Sequence, residues 1–257
     1  MASASSNSDG STTTAGTVSS LLRCVSKWMM MVEEDRATRP FVTLSFAQSL
    51  DGKIALSSSS SSNFPISCPE SLIWTHALRS VHDAVLVGSE TMRTDNPRLT
   101  VRLWGECLPN PRPVVLDTHL RCDYTHCRAK NLIVCCSEEA VAARGLDDKK
   151  RDDTNITLLP CTVSSSSSHL DLRDVLGKLR MKFGIHSIMV EGGARVLSNF
   201  LNEELADCMC VTISPMVLGL NGLTAFQHLT NAQEAPALSD VVWKQIGVDS
   251  ILLRKIQ

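Results

Sequence analysis

The sequence predicts an α/β protein whose sheet is mostly parallel but mixed. Short apolar segments rich in β-branched residues alternate with segments of helical periodicity along most of the chain. Buried strands that alternate with helices are typical of a parallel sheet covered on both faces. The last two segments, 241–248 and 251–256, flank a turn at 247–249 and predict a hairpin that adds antiparallel strands. Since no interdomain linker or internal repeat is recognisable, we expect one domain.

Each predicted strand is a short apolar segment flanked by residues that favour turns. A turn at 49–52 separates the first strand from an extended continuation at 53–56. The strands are predicted at 41–46, 83–87, 113–117, 131–136, 156–159, 187–190 and 207–213.

Capping residues indicate where the helices begin. Ser67 and Glu70 form a capping-box pattern with Pro69 in the first turn, which predicts a helix from there to about residue 79. Ser137 precedes two acids and predicts a second helix start. Further helices are predicted at 170–183, after a serine run at 164–168, and from the Gly192–Gly193 turn to 201, and a loop is predicted at the serine run 57–62.

Residues 1–20 are mostly Ser, Thr, Ala and Gly, a composition that predicts a disordered N-terminus. An organellar transit peptide is the alternative, although such leaders are rich in Arg and the first arginine here is Arg23. Apolar residues then recur at helical spacing and predict a leading helix over 21–38, followed by the body at 39–257. These apolar residues are Leu21, Leu22, Val25, Trp28, Met29 and Val32.

The bulk composition excludes several functional classes. The chain has 257 residues, 43% of them hydrophobic, and a net charge of −2, so it can bury a sizeable core but has no basic excess for nucleic acid. No apolar run approaches the roughly 20 residues of a membrane span. The ten cysteines include no C-x-x-C pair or His/Cys cluster with ligand spacing. We therefore expect no metal, and buried thiols in a reducing compartment, which is the cytoplasm or, as the alternative, an organelle.

Two predicted strand exits suggest an anion site. One strand ends at Gly88–Ser89 and enters a helical turn, where free backbone N–H groups can bind a phosphate. Asp95, Arg98 and Arg102 follow in a stretch that is too polar for a core. A second strand ends in the same way at Gly192–Gly193. Because the carboxyl ends of parallel strands share one edge, the two exits predict a single cleft.

Several common catalytic motifs are missing from the sequence. It has no P-loop, no nucleophile elbow, no zinc-deaminase signature and no G-x-G-x-x-G dinucleotide fingerprint. The remaining features favour an enzyme that holds a phosphorylated cofactor beside a phosphorylated substrate. A regulatory nucleotide-binding domain and a non-catalytic scaffold remain the alternatives.

Six short motifs occur in order and carry a family resemblance. They are SLDGKIA at 49–55, LR at 78–79 with DAVLVGSET at 83–91, TDNPRLTVR at 94–102, PVVLD at 113–117, VEGG at 190–193 and ISPMVLG at 213–219. From Arg39 to the C-terminus the chain resembles the riboflavin-biosynthesis reductase family. Its members are the 2,5-diamino-6-ribosylamino-pyrimidinone 5′-phosphate reductases and the reductase half of the bacterial bifunctional deaminase-reductase.

The resemblance implies a three-layer α/β/α fold like that of dihydrofolate reductase, a homodimer and NADPH as cofactor. The implied reaction reduces the ribosyl side chain of the pyrimidine phosphate to ribityl, with hydride delivered to C1′ of the ring-opened imine. Since no deaminase motif is present, the chain is expected to carry the reductase step alone. The deaminated pyrimidinedione as substrate, a dihydrofolate-reductase-like activity and a non-catalytic NADPH-binding protein are the alternatives.

The resemblance also implies roles for individual residues. Asp95 and Glu191 are the expected catalytic residues. The expected cofactor contacts are Ala47, Gly88, Ser89, Thr91, Asp95, Thr118, Gly192, Gly193, Ala194, Arg195, Val196, Leu197, Ser198 and Asn199. The expected substrate contacts are Asn63, Ser67, Arg79, Leu99, Arg102 and Glu191, with the two arginines on the substrate phosphate.

Some of these residues also have structural interpretations. Arg79 ends a predicted helix, where a cation is favoured by the dipole, and Glu191 can be an acid at a helix N-terminus. Ser67 can be a helix cap and Asp51 a turn residue. Relatives often carry Ala-Asp-Asp-Pro where this chain has TDNP at 94–97, so the chain lacks their second acid.

Two further expectations concern cofactor choice and assembly. Thr118, His119 and Arg121 follow the strand exit at Asp117 and are placed to meet a 2′-phosphate, which predicts a preference for NADPH over NADH. The apolar strand at 206–213 and the closing hairpin are expected to need covering, which favours a homodimer.

Overall fold

The structure is a computed structural model that describes residues 9–32, 38–56, 64–105, 108–145, 155–165, 167–230 and 240–256. The helices are α1 (Asp9–Val32), α2 (Pro69–Arg79), α3 (Ser89–Asp95), α4 (Glu138–Ala143), α5 (Leu172–Phe183) and α6 (Ala194–Asn202). The strands are β1 (Phe41–Ser49), β2 (Lys53–Leu56), β3 (Ala84–Gly88), β4 (Arg112–Leu116), β5 (Leu132–Ser137), β6 (Ile156–Cys161), β7 (Ser187–Gly192), β8 (Cys208–Ser214), β9 (Gly222–Thr224), β10 (Val241–Ile246) and β11 (Asp249–Lys255). Asn63 and the serine run before it lie outside the described residues.

The main sheet has the strand order β10-β11-β8-β1-β7-β3-β4-β5-β6. From β8 to β6 all neighbouring strands pair in parallel. β11 pairs antiparallel with both β8 and β10. The predicted sheet, mostly parallel and made mixed by the closing hairpin, is confirmed. A second sheet pairs β2 with β9 and was not predicted.

Helices cover both faces of the main sheet. Val85 and Val87 of β3 belong to one buried cluster and Ala84 and Leu86 to the other, because successive side chains on a strand face opposite sides. The first cluster includes side chains of α1 to α4, and the second includes those of α5 and α6. The three-layer α/β/α arrangement is therefore confirmed.

Helix α1 corrects the expectation for the N-terminus. It begins at Asp9, so 9–20 is helical and not disordered, while 1–8 lies outside the described residues. The helical spacing of buried residues extends one turn further back than predicted, because Val18 is buried in line with Leu21 and Val25. The helix packs on α2 and β10. Its last described residue is Val32, and 33–37 is not described.

The start of α2 differs from the predicted capping box. The N-cap residue is Cys68 and not Ser67, and it makes no side-chain cap hydrogen bond. The backbone N–H of Cys68 instead donates to Asp249 Oδ2 at 2.8 Å. The hairpin turn at the far end of the chain therefore fixes this helix start, which a local sequence pattern does not show.

The apolar strand at 206–213 that is expected to need covering corresponds to β8, which lies inside the sheet. β8 is hydrogen-bonded to β1 on one side and to β11 on the other. The edge strand on this side of the sheet is β10, whose Trp243 is 57% exposed. Any edge that needs covering at this end is therefore β10.

Among the helices of the described ranges, none combines the length and the apolar character required to cross a membrane.

Candidate active site at the carboxyl edge of the sheet

The two predicted strand exits are neighbours in space. β3 and β7 pair in parallel, with Val87 opposite Gly192. A Cβ atom added at Gly88 would lie 2.9 Å from Cγ2 of Val196, and one added at Gly193 would lie 3.5 Å from Oγ1 of Thr91. The starts of α3 and α6 therefore lie side by side, as the single-cleft prediction requires.

Glycines before the N-terminus of α6 leave open space where a side chain would block access. Gly192 and Gly193 have φ values of 130° and 86°, which other residues rarely adopt. Nothing lies within 4 Å of a Cβ atom built on Gly192, and Gly193 caps α6 without a side-chain hydrogen bond. No acidic residue occupies the first turn of α6. Free N–H groups at a helix start with open space before them fit the pyrophosphate of a dinucleotide.

A nearly buried ion pair joins α2 to the end of β7. Arg79 Nε donates to Glu191 Oε1 at 2.5 Å and Nη2 to Oε2 at 2.6 Å. The two side chains are 11% and 14% exposed. A third N–H of Arg79, on Nη1, donates to the carbonyl of Thr100 at 2.9 Å. The pair therefore fixes the loop after α3 against the strand exit.

His76 holds the same loop one helical turn before Arg79. It is buried, and its Nδ1 accepts the backbone N–H of Arg102 at 3.1 Å. Burial, together with the charges of Arg79 and Arg102, lowers the pKa of His76 to about 4. The imidazole is therefore neutral near pH 7, with an unprotonated Nδ1 to accept this bond.

The loop between Asp95 and Arg102 combines a buried anchor with exposed charges. Leu99, a predicted substrate contact, has φ 54° and its side chain is 1% exposed within the first core cluster. Asp95 and Arg102 are exposed. Desolvation by the surrounding protein raises the pKa of Asp95. Burial, followed by nearby arginine charges, lowers the pKa of Arg102.

The other predicted cofactor contacts follow the same sheet edge. Ala47 lies near the end of β1 in register with Thr212 of β8. Thr118 follows β4, and its carbonyl accepts the N–H of Ser137 at 2.9 Å. Ser89 is half-buried at the start of α3.

The predicted cofactor run within α6 is only partly accessible. Arg195 is exposed, whereas Leu197 and Ser198 are buried, and Ser198 Oγ donates to the Ala194 carbonyl at 2.8 Å. The first turn of α6 is therefore the part of this run that a ligand can approach.

Two acidic residues near the site hold turns. Asp117 accepts the N–H groups of Arg121 and Cys122 at 3.0 and 2.9 Å and the hydroxyl of Tyr124 at 3.0 Å. Asp51 accepts from Ser49 Oγ at 2.6 Å and from the N–H groups of Leu218 and Gly219, as its turn interpretation predicts. Hydrogen bonds from Ser49 and this loop lower the pKa of Asp51 to about 2.

Sequence reasoning missed the contacts that shape the arginine loop. Neither His76 nor Thr100 was proposed as a site residue. The available signal was the spacing of His76 and Arg79, which places both on one face of α2. Ser67 is half-buried beside the hairpin turn, and the structure does not describe Asn63.

The chain is similar to known proteins over most of its length. A family model described as the RibD C-terminal domain matches residues 40–252. A protein of Debaryomyces hansenii named 2,5-diamino-6-ribosylamino-4(3H)-pyrimidinone 5′-phosphate reductase is 31% identical over 234 residues, which cover 86% of this chain and 91% of that protein. A protein of the same name from Methanothermobacter thermautotrophicus is 36% identical over 186 residues, which cover 70% of this chain and 80% of that protein.

Solved structures show the same similarity. The riboflavin biosynthesis reductase Rib7 of Saccharomyces cerevisiae has a TM-score of 0.67 at 27% identity, over 86% of this chain and 91% of that one. The diaminohydroxyphosphoribosylaminopyrimidine deaminase/5-amino-6-(5-phosphoribosylamino)uracil reductase of Thermotoga maritima has a TM-score of 0.67 at 26% identity, over 90% of this chain and 60% of that one. The chain thus matches most of the yeast reductase and only part of the bifunctional protein.

Proposed function

The chain belongs to the family of RibD C-terminal domains, and from this premise we propose that it is a reductase of riboflavin biosynthesis. The proposed reaction is the NADPH-dependent reduction of the ribosyl side chain of a 2,5-diaminopyrimidinone (ribosylamino) 5′-phosphate to the ribityl form. One observation carries the proposal. The N-terminus of α6, which has no side-chain cap, lies beside the exit of β7, where Glu191 pairs with Arg79, and beside the loop that carries Arg102.

A reductase of this family uses a nicotinamide cofactor, and NADPH is the form we propose. When bound, it supplies the hydride. The first turn of α6 and the exit at Gly88 would hold the pyrophosphate. His119 and Arg121 are exposed just beyond β4 and support binding of a 2′-phosphate. A higher kcat/KM with NADPH than with NADH is expected, and equal values would contradict this choice.

The two carboxylates take different roles in the proposed mechanism. Both oxygens of Glu191 are bound by Arg79, so Glu191 orients that guanidinium. Hydride addition to C1′ of the ring-opened imine forms a C–H bond, moves the C=N electron pair to nitrogen and requires a proton there. Asp95 begins the loop that carries Arg102 and forms no ion pair within the described ranges, and desolvation raises its pKa, which is the direction that favours proton donation. We assign this proton to Asp95.

Stopped-flow measurement of NADPH oxidation tests the reaction directly. The purified chain is mixed with the amino pyrimidine phosphate, with its deaminated counterpart and with dihydrofolate in separate experiments. Oxidation with the amino compound alone is expected. Faster oxidation with the deaminated compound would show that the substrate is the pyrimidinedione. Reaction with dihydrofolate would indicate a dihydrofolate-reductase-like activity. NADPH binding without oxidation by any of them would indicate a non-catalytic protein.

A homodimer and a cytoplasmic location complete the proposal. The edge strand β10 and the exposed Trp243 support a covered hairpin. The buried thiols of Cys135 and Cys208 support a reducing compartment. Sedimentation that finds a stable 28.0 kDa monomer at micromolar concentration would contradict the dimer.

A further inference from the structure

The side chain of Asn96 joins two loops beside the site. Its Nδ2 donates to the carbonyl of His126 at 3.0 Å, and its Oδ1 accepts the backbone N–H of Arg128 at 3.0 Å. Asn96 ends α3 with φ 40° and ψ 58°, a left-handed conformation that asparagine tolerates better than most residues. The amide therefore fixes the backbone at 126–128 against the start of the loop that carries Arg102.

This junction joins the backbone of Arg128 to the loop that carries Arg98 and Arg102. Arg98, Arg102 and Arg128 are all exposed. Burial lowers the pKa of Arg102 most, and the positive charges of Arg79, Arg98 and Arg128 lower it further. None of the three arginines forms an ion pair in the part of the chain that the structure describes. A group of arginines without carboxylate partners favours the binding of an anion.

Arg79, the other arginine expected on the substrate phosphate, is already neutralised. Its Nε and Nη2 bind both oxygens of Glu191, and Nη1 binds the Thr100 carbonyl. A phosphomonoester carries roughly −1.5 to −2 charges near pH 7. Arg102 alone compensates roughly half to two-thirds of that charge, so further cations beside it favour binding of the substrate phosphate.

We propose that Arg128, positioned by Asn96, binds the phosphomonoester of the substrate together with Arg98 and Arg102. The inference rests on the proposed function and identifies which cations that function uses. It replaces the expected pair of Arg79 and Arg102 with a group of three exposed arginines from two loops. Arg79 then serves to position the loop through Thr100 and Glu191.

Kinetics with two substrates test this contact. Each variant is assayed with the pyrimidine ribosyl phosphate and with the same compound lacking its phosphate. We expect Arg128→Ala to raise KM for the phosphorylated substrate about tenfold, with kcat and the NADPH Kd unchanged. For the dephosphorylated substrate, Arg128→Ala should have the same KM as the parent protein. Arg128→Lys should recover part of the affinity, because it restores the charge without the planar fork.

Two further variants separate the contact from general effects. Lys130→Ala removes an exposed cation two residues away and should leave both substrates unchanged. Asn96→Gly keeps the left-handed backbone accessible but removes both hydrogen bonds, and it should raise KM in the same direction as Arg128→Ala. The inference would be overturned if Arg128→Ala raised KM equally for both substrates, or raised it for neither.

Binding of ribose 5-phosphate by calorimetry distinguishes this inference from the proposed function. If the chain turns over the pyrimidine phosphate and Arg128→Ala has normal kinetics and normal ribose 5-phosphate binding, the inference fails and the proposed function stands. If there is no turnover but ribose 5-phosphate binds and Arg128→Ala weakens it, the phosphate contact stands and the proposed reaction fails. Absence of both turnover and binding would reject both.

Discussion

The proposed cofactor side and the proposed substrate side of the cleft are built in opposite ways. At the proposed cofactor side, Gly192 leaves open space before the start of α6 and Gly88 lets Val196 approach closely, so this side is shaped by the absence of side chains. At the substrate side, the Arg79–Glu191 pair and the His76 contact to Arg102 join residues far apart in sequence. The first design depends on local backbone geometry, whereas the second depends on a network in which each contact fixes another.

Breaking that network should have the largest effect on both stability and activity. Glu191→Ala leaves the guanidinium of Arg79 nearly buried without a counter-charge, and we expect a loss of roughly 3 kcal/mol in the free energy of unfolding. Activity should fall about 100-fold or more, because Arg79 then lacks the carboxylate that orients it and holds the loop that carries Arg102 less firmly. Denaturant unfolding and steady-state kinetics on the same preparation measure the two losses.

The surface pair of Arg93 and Glu90 is the control for this change. Its side chains are 65% and 74% exposed, so Glu90→Ala should cost less than about 1 kcal/mol and leave the kinetics unchanged. If Glu90→Ala and Glu191→Ala cost the same, the substrate side would not be an interdependent network, and the contrast with the cofactor side would be lost.

The same contrast explains what sequence reasoning found. The sheet, its hairpin and the glycine exits follow from strand periodicity and turn chemistry, which are properties of neighbouring residues. The position of β8 inside the sheet and the start of α2 depend on β11 and Asp249, which are remote in sequence. Arg79 and Glu191 were each predicted as site residues, but the contacts of Arg79 with Glu191 and Thr100 could not be derived from spacing. Contacts between distant side chains are a result of folding and leave no local pattern.

Arg102→Ala tests the substrate side without disturbing its framework. The side chain is exposed and supports little core, so the stability should stay within about 1 kcal/mol of the parent protein. Loss of a charge-assisted contact should lower kcat/KM by about 10- to 150-fold, mainly through the substrate. The NADPH Kd should not change. Equal weakening of both ligands would show that Arg102 does not belong to the substrate side alone.

Gly193→Ala tests the cofactor side by adding one methyl group. At φ 86° an alanine is strained by about 1–2 kcal/mol, and its Cβ would contact Thr91 at 3.5 Å beside the helix start. We expect the NADPH Kd to rise about tenfold while the substrate KM stays nearly constant. Gly184→Ala is the control, because Gly184 has φ 64° at the end of α5 and nothing within 4 Å of its added Cβ. Gly184→Ala should lose stability from the backbone strain but leave the NADPH Kd unchanged.

The smallest expected effect on substrate binding separates two buried histidines with similar titration. Burial lowers the pKa of both His76 and His82 to about 4, below the ordinary value of 6.5. Between these values the unfolded chain binds more protons than the folded one, so the free energy of unfolding falls as the pH is lowered from 6.5 to 4. Each histidine contributes at most about 3 kcal/mol to this fall, and no further loss from them occurs below pH 4.

The kinetic consequences of the two histidines should differ. His82 binds the Leu78 carbonyl and Thr43 Oγ1 at 2.8 and 2.9 Å, so His82→Asn should reduce the pH dependence of stability without changing the substrate KM. His76→Asn should reduce that pH dependence too, but it also weakens the hold on the Arg102 backbone, which is worth about 1 kcal/mol or roughly fivefold in KM. An unchanged KM in His76→Asn would mean that Arg79 and Glu191 fix the loop alone. The substrate side would then depend on one ion pair, and its contrast with the cofactor side would be narrower.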